Sequence, residues 1–123
     1  MNPLRKRIDE CIKSAKLLYG GLIEIPESSS IILNKEFMLP QWMAYESQAN
    51  NLNIISLNAK WVKYNEELYF HEIIPHELAH VICRVNPIIQ YSSDDHCDNW
   101  KELCICMGGS GDPYIDEELV KVA

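Results

Sequence analysis

The spacing of hydrophobic residues changes along the chain and divides it into a helix, a sheet and a second helical region. From Pro3 to Tyr19, apolar residues recur every three or four positions, with lysine and aspartate on the opposite face. This period is typical of an amphipathic helix that packs one face on a core. Pro3 suits the first turn of such a helix, and Gly20-Gly21 suits its end.

Between residues 22 and 58 the helical spacing disappears, and short runs of β-branched and aromatic residues take its place. Turn-forming residues separate the runs, most clearly Pro40 and the pair Asn50-Asn51. This pattern predicts a small, mainly antiparallel sheet of three or four strands. The predicted strands are residues 22–25, 31–33, 42–45 and 53–57.

Helical spacing returns after the predicted sheet. Asn58 can cap a short helix, and a longer helix is predicted from about residue 66 to 85, where Asn86-Pro87 ends it. Pro75 predicts a kink or a restart just before His76, because proline has no N–H to donate. A loop over residues 88–95 and a helix over 96–107 complete an α+β fold, in a single domain spanning residues 1–123.

Composition and charge narrow the class of protein. Hydrophobic residues make up 47% of the chain, enough for a real core, and the five cysteines include no C-x-x-C pair, which is typical of reduced thiols. The basic start leads into an amphipathic rather than an apolar segment, so neither a secretory leader nor a membrane span is indicated. We expect a cytoplasmic protein without a membrane partner. A net charge of -7 argues against autonomous binding to the phosphate backbone of DNA.

The segment His76-Glu77-Leu78-Ala79-His80 carries the clearest chemical signal. Histidines four apart on a helix share one face, so both imidazoles can bind one Zn²⁺ at roughly 2.0–2.1 Å. A glutamate directly after the first ligand can hold a water molecule and take its proton. The segment therefore predicts a zinc hydrolase with Glu77 as general base.

A catalytic zinc ion of this type needs a third protein ligand and one open position. The metzincin spacing requires glycine at 83 and histidine at 86, where this chain has Cys83 and Asn86, so that class is excluded. Glu102 is an acidic candidate on the last predicted helix. His96 is the stronger one, because it is the only downstream histidine and follows a loop long enough to fold back.

Beyond the zinc motif, three stretches of the chain resemble the SprT-like metalloprotease family, which includes bacterial SprT and the protease domain of Spartan. Residues 53–58 are similar to that family's strand ending in Leu-Asn. Residues 72–80, Glu-Ile-Ile-Pro-His-Glu-Leu-Ala-His, are similar to its zinc-binding helix, and the pattern His96-x-x-x-Trp100 is similar to its third-ligand element. The likeness covers roughly residues 5 to 115, and it is to a minimal form without the C-terminal zinc ribbon.

The resemblance implies a zincin-like fold, in which the zinc-binding helix is followed by a helix that carries the third ligand. It implies zinc ligation by His76, His80 and His96, catalysis by Glu77, and a packing role for Trp100. It also implies protein substrates, among them proteins associated with DNA, although the negative charge disfavours direct DNA contact.

The leading hypothesis is therefore a zinc-dependent peptidase. A peptide is expected to add to an exposed sheet edge, for which residues 53–57 are the candidate, and Tyr91 or Tyr114 can reach the oxyanion. Two alternatives stay open: a peptidase of the repressor-cleaving type with Glu102 as third ligand, and a zinc-stabilised module that binds or inhibits a protein without turnover.

Overall fold

The computed structural model describes residues 2–37, 43–89 and 96–114. These residues form an α+β fold, with helices packed around a small three-stranded sheet. The elements in chain order are α1 (Pro3–Tyr19), β1 (Ile31–Phe37), β2 (Ala44–Ala49), β3 (Leu52–Asn58), α2 (Ala59–Val62), α3 (Glu66–Leu68), α4 (Ile74–Val85) and α5 (Asp98–Cys106).

Helix α1 has the bounds that its hydrophobic spacing predicts. The Asn2 side chain accepts a hydrogen bond from the N–H of Leu4 and caps the first turn. Its buried face packs on α4 and α5. That face consists of Leu4, Ile8, Cys11, Ile12 and Ala15. Burial of this apolar stripe is what holds the helix to the domain.

The sheet is mixed, and its strand order is β1-β3-β2. β3 pairs in parallel with β1 and antiparallel with β2. The hairpin between β2 and β3 turns at Asn50 and Asn51, whose φ angles of 51° and 65° lie in the left-handed region that a two-residue hairpin turn requires.

Three sequence-based predictions about the sheet are therefore wrong. The sheet is not mainly antiparallel, because one of its two strand pairs is parallel. Residues 53–57 are not an edge, because β3 is the central strand and is buried along most of its length. Residues 22–25 form no strand, since their backbone bonds elsewhere: both the N–H and the C=O of Glu24 pair with the Asn86 side chain, at 2.8 and 2.7 Å. Part of the strand predicted at 42–45 lies outside the described residues.

The helical stretch before α4 contains the interruption that Pro75 predicts. Residues 69–73 are a π-helix, and the N–H of Ile74 bonds to the carbonyl of Tyr69, five residues back. Pro75 has no N–H for the next carbonyl, that of Phe70, and this carbonyl accepts a hydrogen bond from Arg7 Nε at 2.9 Å instead. Arg7 also donates to the carbonyl of Met107 at 2.9 Å, so it joins the π-helix before α4 to the residue that follows α5.

Within the described residues, no helix combines the length and the apolar character needed to cross a membrane.

Candidate metal centre

Helix α4 presents two histidines toward one point. His76 and His80 are one turn apart, and their Nε2 atoms are 3.3 Å from each other. The opposite face of α4 is fully buried through Leu78, Val81 and Ile82, so the helix has little freedom to rotate. The core of the domain therefore sets the direction of both imidazoles.

His96 completes the group from the other side. It lies in the turn before α5, and its Nε2 atom is 3.2 Å from that of His80. The candidate ligand atoms of the three histidines all lie within 4.8 Å of one another. A tetrahedral ion at about 2.05 Å from each nitrogen separates its ligands by about 3.3 Å, so the two measured separations fit such an ion.

Trp100 forms the floor under the three imidazoles. Its side chain is fully buried, and its ring centroid lies 4.8 Å from that of His76, 5.3 Å from His80 and 4.7 Å from His96. The indole Nε1 donates to the backbone carbonyl of His76 at 3.2 Å. One side chain of α5 thus packs against every histidine of the group and ties α5 to α4.

Electrostatics favour the neutral form of His76, which is the form that binds a metal ion. Burial lowers the pKa of His76 to about 3, and the neighbouring His80 and His96 add to this effect. Glu77 is nearly buried as well, and burial raises its pKa to about 7. A cation held by the adjacent histidines would favour the charged form of this carboxylate.

Arg84, one turn beyond His80, connects the histidine helix to the sheet. Its guanidinium forms an ion pair with Glu46 of β2 and donates to Asn53 Oδ1 of β3 at 2.7 Å and to the backbone carbonyl of Ser47 at 3.3 Å. Sequence reasoning missed this residue. The available signal was an arginine at the i+4 position from a ligand, on a helix whose other positions are mainly apolar.

Asn86 occupies the position where the metzincin spacing requires histidine, and here it is structural. Its Nδ2 donates to the carbonyls of Glu24 and Ile82, and its Oδ1 accepts from the N–H of Glu24. The side chain is 8% exposed, so these bonds are shielded from water. Asn86 therefore ends α4 and holds residues 22–25 against it.

The other candidate residues fall in different places. Glu102 is exposed on α5, two residues after the inward-facing Trp100, and about 200° of helical rotation points it away from the histidines. His71 is exposed too. Tyr114 lies beside the site, with its ring centroid 6.1 Å from that of His96. Tyr91 lies outside the described residues.

All five cysteines are free, as expected of reduced thiols. Cys104, from the Cys104-x-Cys106 pair, is buried, and burial raises the pKa of its thiol to about 11. Among the described residues, the three histidines form the single group of side chains placed to hold a metal ion, and neither cysteine belongs to it.

Comparison with known proteins adds one finding. The model of the SprT-like family matches residues 8–115, which contain every residue of the histidine group. The chain has no significant match among curated proteins or among solved structures.

Proposed function

Since the chain belongs to the SprT-like family, we propose that it is a zinc-dependent metallopeptidase that hydrolyses peptide bonds in protein substrates. The observation that carries the proposal is the convergence of three imidazoles, with His80 Nε2 at tetrahedral spacing from both His76 and His96 and with Glu77 adjacent in sequence to His76. Three nitrogen ligands with a fourth position left for water or substrate are the ligand set of catalytic zinc.

His76, His80 and His96 would hold the ion. Zinc in such a site supplies a Lewis acid that polarises a carbonyl group and makes water a nucleophile near neutral pH. Glu77 accepts the proton of the attacking water and passes it to the leaving amine, and the bound cation would keep this buried carboxylate in the charged form that accepts a proton. Trp100 keeps the imidazoles oriented through its contacts with all three rings.

Strand β2 is the best-supported position for a substrate. In the described sheet it pairs with β3 on one side only, and it lies next to α4. An extended peptide can bind such an edge through backbone hydrogen bonds, with little dependence on side-chain identity. The contacts of Arg84 with Glu46 and Ser47 fix the position of β2 relative to α4, the helix that carries His76 and His80.

The proposal is tested with purified protein, by zinc content and by cleavage of fluorescently labelled casein. Glu77→Gln should keep the bound zinc and lose at least 100-fold in cleavage rate, in line with the ~10²–10⁴-fold usual for general base catalysis. Zinc-loaded wild-type protein that cleaves neither casein nor a peptide library would contradict peptidase function. If cells that carry Glu77→Gln instead of the wild-type protein show the wild-type phenotype, the protein acts as a binding or inhibitory module and not through peptide cleavage.

Two further variants decide the ligand set. His96→Ala should lose stoichiometric zinc, whereas Glu102→Ala should bind zinc and cleave casein like the wild type. Full zinc occupancy in His96→Ala would show that another side chain is the third ligand.

A further inference from the structure

Tyr114 has a large aromatic side chain that does not pack into the hydrophobic core. It is 78% exposed, yet its ring lies near that of His96, one of the three candidate ligands. An exposed aromatic ring with a polar tip gains little from folding but is well suited to contact a ligand. The position of Tyr114 at the margin of the histidine group therefore calls for a functional explanation.

A series of hydrogen bonds fixes the backbone that carries this ring. Ser110 donates to Glu72 Oε2 twice, from its N–H at 3.2 Å and from its hydroxyl at 2.8 Å. The N–H of Asp112 donates to Ser110 Oγ at 3.1 Å, and the N–H of Tyr114 donates to Asp112 Oδ1 at 3.0 Å. The series begins on Glu72, one helical turn before His76, and ends at Tyr114.

Close packing holds the same turn against both helices of the site. Gly111 has a φ of +78°, and a Cβ there would come within 3.0 Å of Ile105 and Lys101 on α5. A Cβ on Gly109 would lie 2.6 Å from Cys104 Sγ and 3.0 Å from Pro75 Cβ. The backbone of residues 109–111 thus lies too close to α4 and α5 to shift freely.

We propose that Tyr114 contacts the substrate at this metal centre, and that Glu72 is a positioning residue that acts through Ser110. The phenol hydroxyl donates a hydrogen bond to the carbonyl oxygen of the scissile peptide, on which negative charge grows during attack by water. The inference rests on the proposed function, since it assigns a donor to the same site. It adds two roles to that function: the Tyr114 hydroxyl is the donor, and Glu72 holds Tyr114 in place through Ser110.

The first test compares Tyr114→Phe with the wild type, both loaded with zinc. Loss of one oxyanion donor typically lowers kcat by about 10²–10³-fold, so we expect a fall of that size with a much smaller change in KM. A readout other than activity is the affinity for an alanine-based phosphinic tripeptide, whose tetrahedral phosphinate resembles the charged intermediate. Its dissociation constant, measured by calorimetry, should rise at least tenfold, while zinc affinity against a chelating dye stays unchanged.

The second test concerns Glu72. Glu72→Ala removes the acceptor of both Ser110 bonds and should reproduce part of the kcat defect of Tyr114→Phe, whereas Glu72→Gln keeps an acceptor oxygen and should recover most of the activity. Glu67→Ala, at an exposed glutamate of α3, is the matched control and should behave like the wild type. Equal kcat values for Glu72→Ala and wild type would remove Glu72 from the proposal.

The outcomes separate this inference from the proposed function. If Tyr114→Phe equals the wild type in kcat and in phosphinic-peptide affinity, the hydroxyl has no role and the inference fails, even if Tyr114→Ala is impaired through loss of the ring. If wild-type protein cleaves no peptide but binds the phosphinic peptide in a manner that depends on the Tyr114 hydroxyl, the peptidase proposal fails and the contact stands.

Discussion

Replacement of Trp100 separates the stability of the core from the geometry of the metal centre. Trp100→Phe keeps an aromatic ring under the histidines but deletes the indole N–H that donates to the carbonyl of His76. That hydrogen bond is worth about 1 kcal/mol, and the smaller ring leaves a gap in a fully buried position. We expect Trp100→Phe to lower the free energy of unfolding by about 1–3 kcal/mol and Trp100→Ala by about 3–5 kcal/mol.

Trp100→Phe should also lower the affinity for zinc, by more than the loss of stability accounts for. Substitution of a residue that orients metal ligands typically lowers metal affinity about 10–100-fold, and Trp100 contacts all three candidate ligands. Zinc affinity is measured by competition with a chelating dye under conditions where the variant is folded by circular dichroism. We expect at least a tenfold loss for Trp100→Phe.

Leu103→Ala provides the matched control for this experiment. Leu103 is also buried on α5, and truncation of such a residue costs about 2–5 kcal/mol, but in the described part of the chain the ring contacts and the hydrogen bond from α5 to the histidines come from Trp100. It should lower stability at least as much as Trp100→Phe and leave zinc affinity within about twofold of the wild type. If both variants lose zinc affinity in proportion to their stability, Trp100 is an ordinary core residue and the reasoning is refuted.

Three other predictions follow from the geometry. Asn86→Ala should lower the free energy of urea unfolding by about 2–4 kcal/mol, because three shielded hydrogen bonds disappear, and a loss below about 0.5 kcal/mol would contradict this. Without metal, burial raises the pKa of Glu77 from 4.5 to about 7, so the contribution of this group to stability should fall as pH rises from about 4.5 to 7, and comparison with Glu77→Gln separates it from the opposite contribution of His76. Metal-free Glu77→Gln should be the more stable protein at pH 8, by about 3 kcal/mol, and equal at pH 4.5; a difference that does not change with pH would show that folding does not raise the pKa of Glu77. Finally, the isolated protein should not shift duplex DNA at 150 mM salt in a gel assay, given its charge of -7, and a salt-sensitive shift would reveal a local basic surface.

The sequence predicted correctly those features that depend on residues close together in the chain. The bounds of α1, the cap at Asn58 and the pairing of His76 with His80 depend on neighbours a few residues away, and the structure has all of them. The interruption at Pro75 was predicted for the same reason, because a missing N–H acts on one turn. Its form as a π-helix was not predicted, since the freed carbonyl of Phe70 accepts its hydrogen bond from Arg7, which lies outside this helix and far away in sequence.

Long-range pairing could not be predicted from the same patterns. Short apolar runs show that a strand forms but not which strand lies beside it, and β3 is central because it pairs with β1 on one side and with β2 on the other. Residues 22–25 have strand-like composition, but the N–H groups of Leu22 and Ile23 donate to the carbonyl of Tyr19, and the backbone of Glu24 pairs with the Asn86 side chain. The placement of Tyr114 depends on Glu72, a partner far away in sequence.

The π-helix before α4 has a consequence for how this sequence can change. A π-turn contains one more residue than the α-turn it replaces, so it takes up that residue locally and leaves the helical turns on both sides in register. Tyr69, fully buried and donating through its hydroxyl to the carbonyl of Met43, and the histidines of α4 therefore each keep the face that they need. Deletion of the exposed His71 should accordingly restore a regular α-turn with little change in the direction of either group. The same deletion within regular α4 would rotate all later side chains by about 100° and separate the histidines from His96.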